Sequence, residues 1–138
     1  MANAELVAAV KRIVGLAKAG ETDTAYTGYR DLFSSAEFAS YRPEDQRTAL
    51  RLMVLAKVVE SKRTPTMVEA HRSAIPALTH LVATIADPGD HELLGICLVM
   101  VGDEDEARKV FRQGLALERE HNAQSDLCGA FLKRISFL

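Results

Sequence analysis

Apolar residues in this chain recur at three- and four-residue spacing in segment after segment, and no segment sustains the strict alternation of a half-buried strand. In residues 4–18, Leu6, Val10, Ile13, Val14 and Ala17 form such a stripe, and Gly20 ends it as a residue that readily takes a left-handed conformation. Thr22 or Asp23 is the expected cap of a second helix with Ala25, Tyr29, Leu32 and Phe33 on one face. The pattern breaks at 40–43, and Pro43 suits the first turn of a third helix over 44–60. Apolar positions nearly encircle that helix, which predicts burial on two sides. Residues 61–66 form a basic, proline-bearing loop.

A fourth helix is expected over 65–85, kinked or split at Pro76, where an interior proline removes a backbone donor and crowds the preceding turn. Asp87-Pro88-Gly89-Asp90 reads as a turn. Further helices follow over 91–101, ended by Gly102, over 104–120, and from a cap at Ser125 or Asp126 nearly to Leu138. In the last, Leu127, Phe131, Ile135 and Leu138 make a stripe that Leu132 and Phe137 widen, so burial on two sides is again the expectation. The fold class is all-α, with about seven helices.

Composition narrows the function. With 138 residues the chain makes one domain, and 48% apolar residues give it a core that needs no metal or disulfide staple. Lys and Arg number 17 against 19 Asp and Glu, a net charge of −2 that argues against a nucleic-acid surface. No apolar run reaches the ~18 residues of a membrane span, and no secretory leader is visible. The two cysteines, Cys97 and Cys128, match no zinc or CxxC spacing. A soluble cytoplasmic protein is predicted, with no cofactor and no metal.

Two segments share one punctuation. Gly20-Glu-Thr-Asp-Thr-Ala25, with Tyr29 four residues on, parallels Gly102-Asp-Glu-Asp-Glu-Ala107, with Phe111 four on. Two antiparallel helices approach closely only where one offers a small side chain, and the aromatic then plugs the gap to the neighbouring pair. These residues resemble the tetratricopeptide repeat (TPR) family. Leu94-Gly95-x-x-Leu98, Gly102, Ala107-x-x-x-Phe111 and Leu115 look like one 34-residue repeat over 88–121. It departs from the family at His91, Leu98, Gly114 and Arg119. Residues 5–38 keep the second-helix half of the pattern, and 46–86 read as a middle repeat through Leu55-Ala56-x-x-Val59 and Ala70. The resemblance implies three degenerate TPR-like antiparallel pairs in a short right-handed superhelix, capped by a helix over 125–137.

The resemblance also implies a concave face that receives a partner's peptide or helix. Its register brings Val7, Val10, Val14, Met53, Lys57, Glu60, Glu92, Ile96, Val99 and Met100 inward. Family members that grip a C-terminal carboxylate use a Lys/Asn/Arg clamp; its Asn residues are absent here. The predicted contacts are Val10, Val14, Met53, Lys57, Ile96, Val99 and Met100, facing an amphipathic helix or an extended apolar segment. Self-filling of that face, by the last helix or by a second copy in a homodimer, is the competing expectation, and a small secretion-type chaperone is a specialised form of the first.

Residues for catalysis are sparse. His71 and His80 are nine apart, about 180° around a straight helix, and lack a third ligand. His91-Glu92 lacks the second histidine of a zinc-protease signature. The acidic run 103–106 suits a helix N-terminus. Lys57, Lys62 and Arg63, with Arg51, read as a solvated basic face. No phosphate-cradling loop or nucleophile elbow is present. A non-enzymatic interaction module is therefore expected ahead of a helical ligand-binding or enzyme domain built on His71 and His80.

Overall fold

A computed structural model of the chain describes residues 3–56 and 63–138. Among the described residues there are seven α-helices, one 3-10 turn and no strand: α1 (Ala4–Lys18), α2 (Thr22–Ser34), the 3-10 turn Phe38–Ser40, α3 (Pro43–Val54), α4 (Pro65–Ile85), α5 (Pro88–Met100), α6 (Glu104–Asn122) and α7 (Asp126–Ser136). The protein is all-α, as the 3/4 spacing predicted. The helices pack in a line, α1 on α2, α2 on α4, α4 on α5, α5 on α6 and α6 on α7, with α3 set beside α4 and α5.

The two parallel punctuation segments make the same turn. Gly20 (φ 86°) and Gly102 (φ 89°) are both left-handed. Each N–H donates to the carbonyl three residues back, Ala17 or Val99, and the next N–H donates five residues back, Glu21 to Leu16 and Asp103 to Leu98. This Schellman pattern satisfies the last carbonyls of α1 and α5 and sends the chain back antiparallel.

Close helix approach is bought by glycine at three crossings. Gly28 of α2 lies under Ile13 of α1, where a β-carbon would come within 2.9 Å of Ile13 Cγ1. Gly95 of α5 lies under the Phe111 ring of α6. Gly114 of α6 faces Phe131 of α7 and the His91 Cβ, the latter 2.7 Å from the place of an added β-carbon. Phe111 thus fills the crossing of its own pair and also meets Phe131, with ring centroids 6.2 Å apart. The anticipated plug between pairs is accompanied by a lock within the pair.

Several boundaries differ from expectation. Helix α2 begins at Thr22 with Glu21 as its uncapped N-cap, and Asp23 is engaged elsewhere: its Oδ1 accepts from the Thr64 and Thr66 hydroxyls at 3.2 and 2.6 Å, joining the starts of α2 and α4. Helix α3 ends at Val54: the Leu55 N–H still donates four residues back to Arg51, but the Ala56 N–H donates three back to Met53 in a tighter closing turn; the remainder of the expected span, 57–60, lies outside the described residues. Helix α4 runs unbroken through Pro76 from a Thr64 cap. Helix α5 starts at Pro88, three residues before the expected start, because Asp87 caps it by accepting from the Gly89 N–H at 2.8 Å. Only the first residue of the expected turn is therefore outside a helix.

The core joins all seven helices. An aromatic ladder, Tyr29–Phe33–Phe38–Tyr41, carries it from α2 through the 3-10 turn to the start of α3, with successive ring centroids 5.7, 5.1 and 6.0 Å apart. Helices α3 and α7 are buried on one side, not two: Leu52, Leu55, Leu132 and Phe137 are exposed.

Candidate functional site

Helices α1 and α3 stand side by side with an apolar groove between them. On α1, Leu6, Val7, Val10 and Lys11 supply one wall; on α3, Asp45, Thr48, Ala49 and Leu52 supply the other, enclosing about 240 Å³. Each set repeats at three- and four-residue intervals, which keeps it on one side of its helix. Leu6 and Ala49 are buried and form the floor, Val10 is half-buried, and Val7 and Leu52 are 37% and 45% exposed. Leu52 also borders a second, shallower hollow of about 440 Å³ with Thr48, Arg51, Leu55 and Ala56. Contiguous apolar surface rimmed by polar groups is the ordinary mark of a surface that meets another chain.

Charge is unevenly placed around the groove. Lys11 of α1 and Asp45 of α3 both line it. Glu5 and Glu37 gather near Tyr41, whose hydroxyl is pushed above its ordinary value by loss of solvent and by these two carboxylates. Asp45 itself takes an ion pair from Arg42, Nε to Oδ2 3.2 Å.

Of the residues expected to meet a partner, Val10 lines this groove. Val14 is half-buried on the same helix one turn on. Met53 is 1% exposed and belongs to the core; the α3 face offered outward is the Thr48–Leu52 side, not the Met53 side, so Met53 is withdrawn as a contact. Ile96, Val99 and Met100 are half-buried against the core and line neither hollow. Lys57, like Lys62, lies outside the described residues. Arg63 is exposed, and its Nη1 also donates to the Val99 and Met100 carbonyls at 3.3 and 3.4 Å, at the end of α5.

Sequence reasoning missed Leu52 and Leu55. They sit in an apolar run that gives no hint which side packs, and only the Thr48-x-x-Arg51-Leu52 adjacency marks the outward side. It also missed the ion pair that braces α3. The Arg47 guanidinium holds both oxygens of buried Asp90, Nε to Oδ1 2.7 Å and Nη2 to Oδ2 2.8 Å, with Asp87 3.7 Å away.

The histidines and cysteines are accounted for structurally. His71 and His91 are buried, and each Nδ1 donates to the carbonyl four residues back, Met67 or Asp87. Burial holds His71 below its ordinary pKa; the Met67 hydrogen bond opposes this and Arg63 adds to it. His80 is exposed on the other side of α4. Cys97 is wholly buried and its thiol is pushed up to about 12 by burial, a poor nucleophile. Among the described residues no three His, Cys, Asp or Glu side chains gather to hold a metal ion, and no helix is long and apolar enough to cross a membrane.

No protein-family model, curated protein or solved structure matches the chain.

Proposed function

We propose that this protein is a non-enzymatic interaction module, built of TPR-like helix pairs, that receives an amphipathic helix of a protein partner in the groove between α1 and α3. The observation that carries this reading is the groove itself: an apolar floor of Leu6 and Ala49 between exposed Val7 and Leu52. The repeat reading is supported by the shared Schellman turns at Gly20 and Gly102 and by the pairing of α1 with α2 and α5 with α6. A groove between two helices accepts the apolar stripe of a third, with contacts at three- and four-residue spacing. The non-enzymatic reading is supported by Cys97, His71 and His91, the buried reactive groups, each turned inward to the core or to a backbone carbonyl.

The test is a titration of the labelled protein with a designed amphipathic Leu/Lys helix, followed by amide NMR shifts. Shifts centred on Val7, Val10, Thr48 and Leu52, weakened about tenfold or more by Leu52→Glu, are expected. Shifts centred elsewhere, or none, overturn the reading.

A further inference from the structure

Exposed apolar surface concentrates along α3. Of the six large apolar side chains exposed among the described residues, Val7, Leu52 and Leu55 line the groove or the shallower hollow beside it. The two recesses share Thr48 and Leu52, so they form one continuous apolar strip from α1 across to the end of α3. A partner helix would cover this strip, and the charges set into it select among helices.

Three charged side chains line the strip: Lys11, Asp45 and Arg51. Asp45 is already satisfied, since its side chain is 12% exposed and Arg42 donates to both its oxygens, at 3.2 and 3.4 Å. Lys11 and Arg51 are exposed, and among the described residues neither enters an ion pair. Arg51 Nη1 lies 3.9 Å from the place of an added Gly89 β-carbon. The acid at that point, Asp87, already accepts from the Gly89 N–H and faces Arg47 at 3.7 Å. Glu5 and Glu37, the acids gathered near Tyr41, line neither recess. Leu52 is thus common to two recesses, with a solvent-facing cation in each: Lys11 in one, Arg51 in the other.

We infer that the helix received by the α1/α3 groove is acidic beside its apolar stripe, with carboxylates placed to meet Lys11 and Arg51. The inference rests on the proposed helix-receiving role of the groove and names the chemistry of the partner. Apolar residues at three- and four-residue spacing cover Val7, Val10 and Leu52. Glutamates flanking them reach the two cations, which sets partner choice and orientation more than it adds affinity. The chain as a whole carries a net charge of −2, which at long range favours a cationic helix. A preference for the acidic helix therefore reads the two local cations.

Two designed helices with one leucine stripe, flanked by glutamate in the first and lysine in the second, are titrated against the labelled full-length chain. Amide NMR gives the place of binding and both affinities, and circular dichroism of each peptide corrects for unequal helicity. The Leu/Glu helix is expected to bind about fivefold tighter at low salt, the ratio shrinking toward one as salt rises. Lys11→Gln and Arg51→Gln should each weaken the Leu/Glu helix about twofold. Lys109→Gln, which removes an exposed cation on α6, should leave the ratio unchanged. A Leu/Lys helix that binds equally or more tightly at Val7, Val10, Thr48 and Leu52 overturns the inference and leaves the helix-receiving role standing. A ratio that falls as much with Lys109→Gln as with Lys11→Gln overturns it too. Self-association of the chain alone that Leu52→Glu abolishes, read by light scattering, gives the strip to a second copy instead. If neither helix shifts those four residues, the helix-receiving role itself falls.

Discussion

Asp90, wholly buried in the first turn of α5, is gripped at both carboxylate oxygens by Arg47 of α3, 43 residues earlier in the chain. The pair fixes α3, one wall of the groove, against the start of α5. The two partners are not equivalent. Without Arg47 the Asp90 carboxylate is left buried and unpaired, whereas without Asp90 the guanidinium is 21% exposed and still has Asp87 at 3.7 Å.

Removing Arg47 therefore costs more than neutralising Asp90. Arg47→Met is expected to lower unfolding free energy by about 3–5 kcal/mol and Asp90→Asn by less. The double variant should lose less than the sum of the two, since no charge is then stranded. Urea unfolding of the four proteins reads these differences. Equal losses, or simple additivity, contradict this account of the bridge.

The glycine crossings give a prediction of opposite signs. At Gly95 an alanine methyl collides with the Phe111 ring, which is itself buried and backed by Phe131. Gly95→Ala should destabilise by about 1–3 kcal/mol. At Gly15, inside α1, an added β-carbon meets nothing within 4 Å, and Gly15→Ala should stabilise by about 0.5–1 kcal/mol. Thermal unfolding compares the two. A gain at Gly95 would mean that Phe111 yields freely.

Helix positions were legible in the sequence because they depend on local spacing and punctuation. Gly20 and Gly102 announced their turns, and Pro43 and Ser125 their starts. Whether an apolar residue faces inward depends on which neighbour arrives. Met53 and Leu52 are adjacent and comparably apolar, yet one is in the core and the other forms the groove wall. The Arg47–Asp90 bridge was illegible for the same reason, since nothing near either residue refers to the other. Asp23 looked like a cap because caps are local; its actual partners, Thr64 and Thr66, lie 41 and 43 residues away.

His71 makes stability depend on pH. Its folded-state pKa is lowered, chiefly by burial, beneath the ordinary value of 6.5. The unfolded chain therefore takes up a proton first as pH falls. The contribution of neutral, buried His71 is complete above about 6.5 and declines from there toward the lower folded value. Urea midpoints between about pH 7.5 and 5 should fall for the wild type and fall less steeply for His71→Leu, whatever that substitution does to the baseline. Identical slopes would assign the acid sensitivity to other groups.

The linear order of helix packing also bears on how the chain finds its fold. Most helices lean on a neighbour close in sequence, and the longer steps are α2 to α4 and α3 to α5. Short closures carry little entropic penalty, so such a topology belongs with the fast folders, and structure can begin at either pair and spread. The terminal helices, each resting mainly on a single neighbour, then open first in the native state, and amide exchange would register α1 and α7 as the least protected segments.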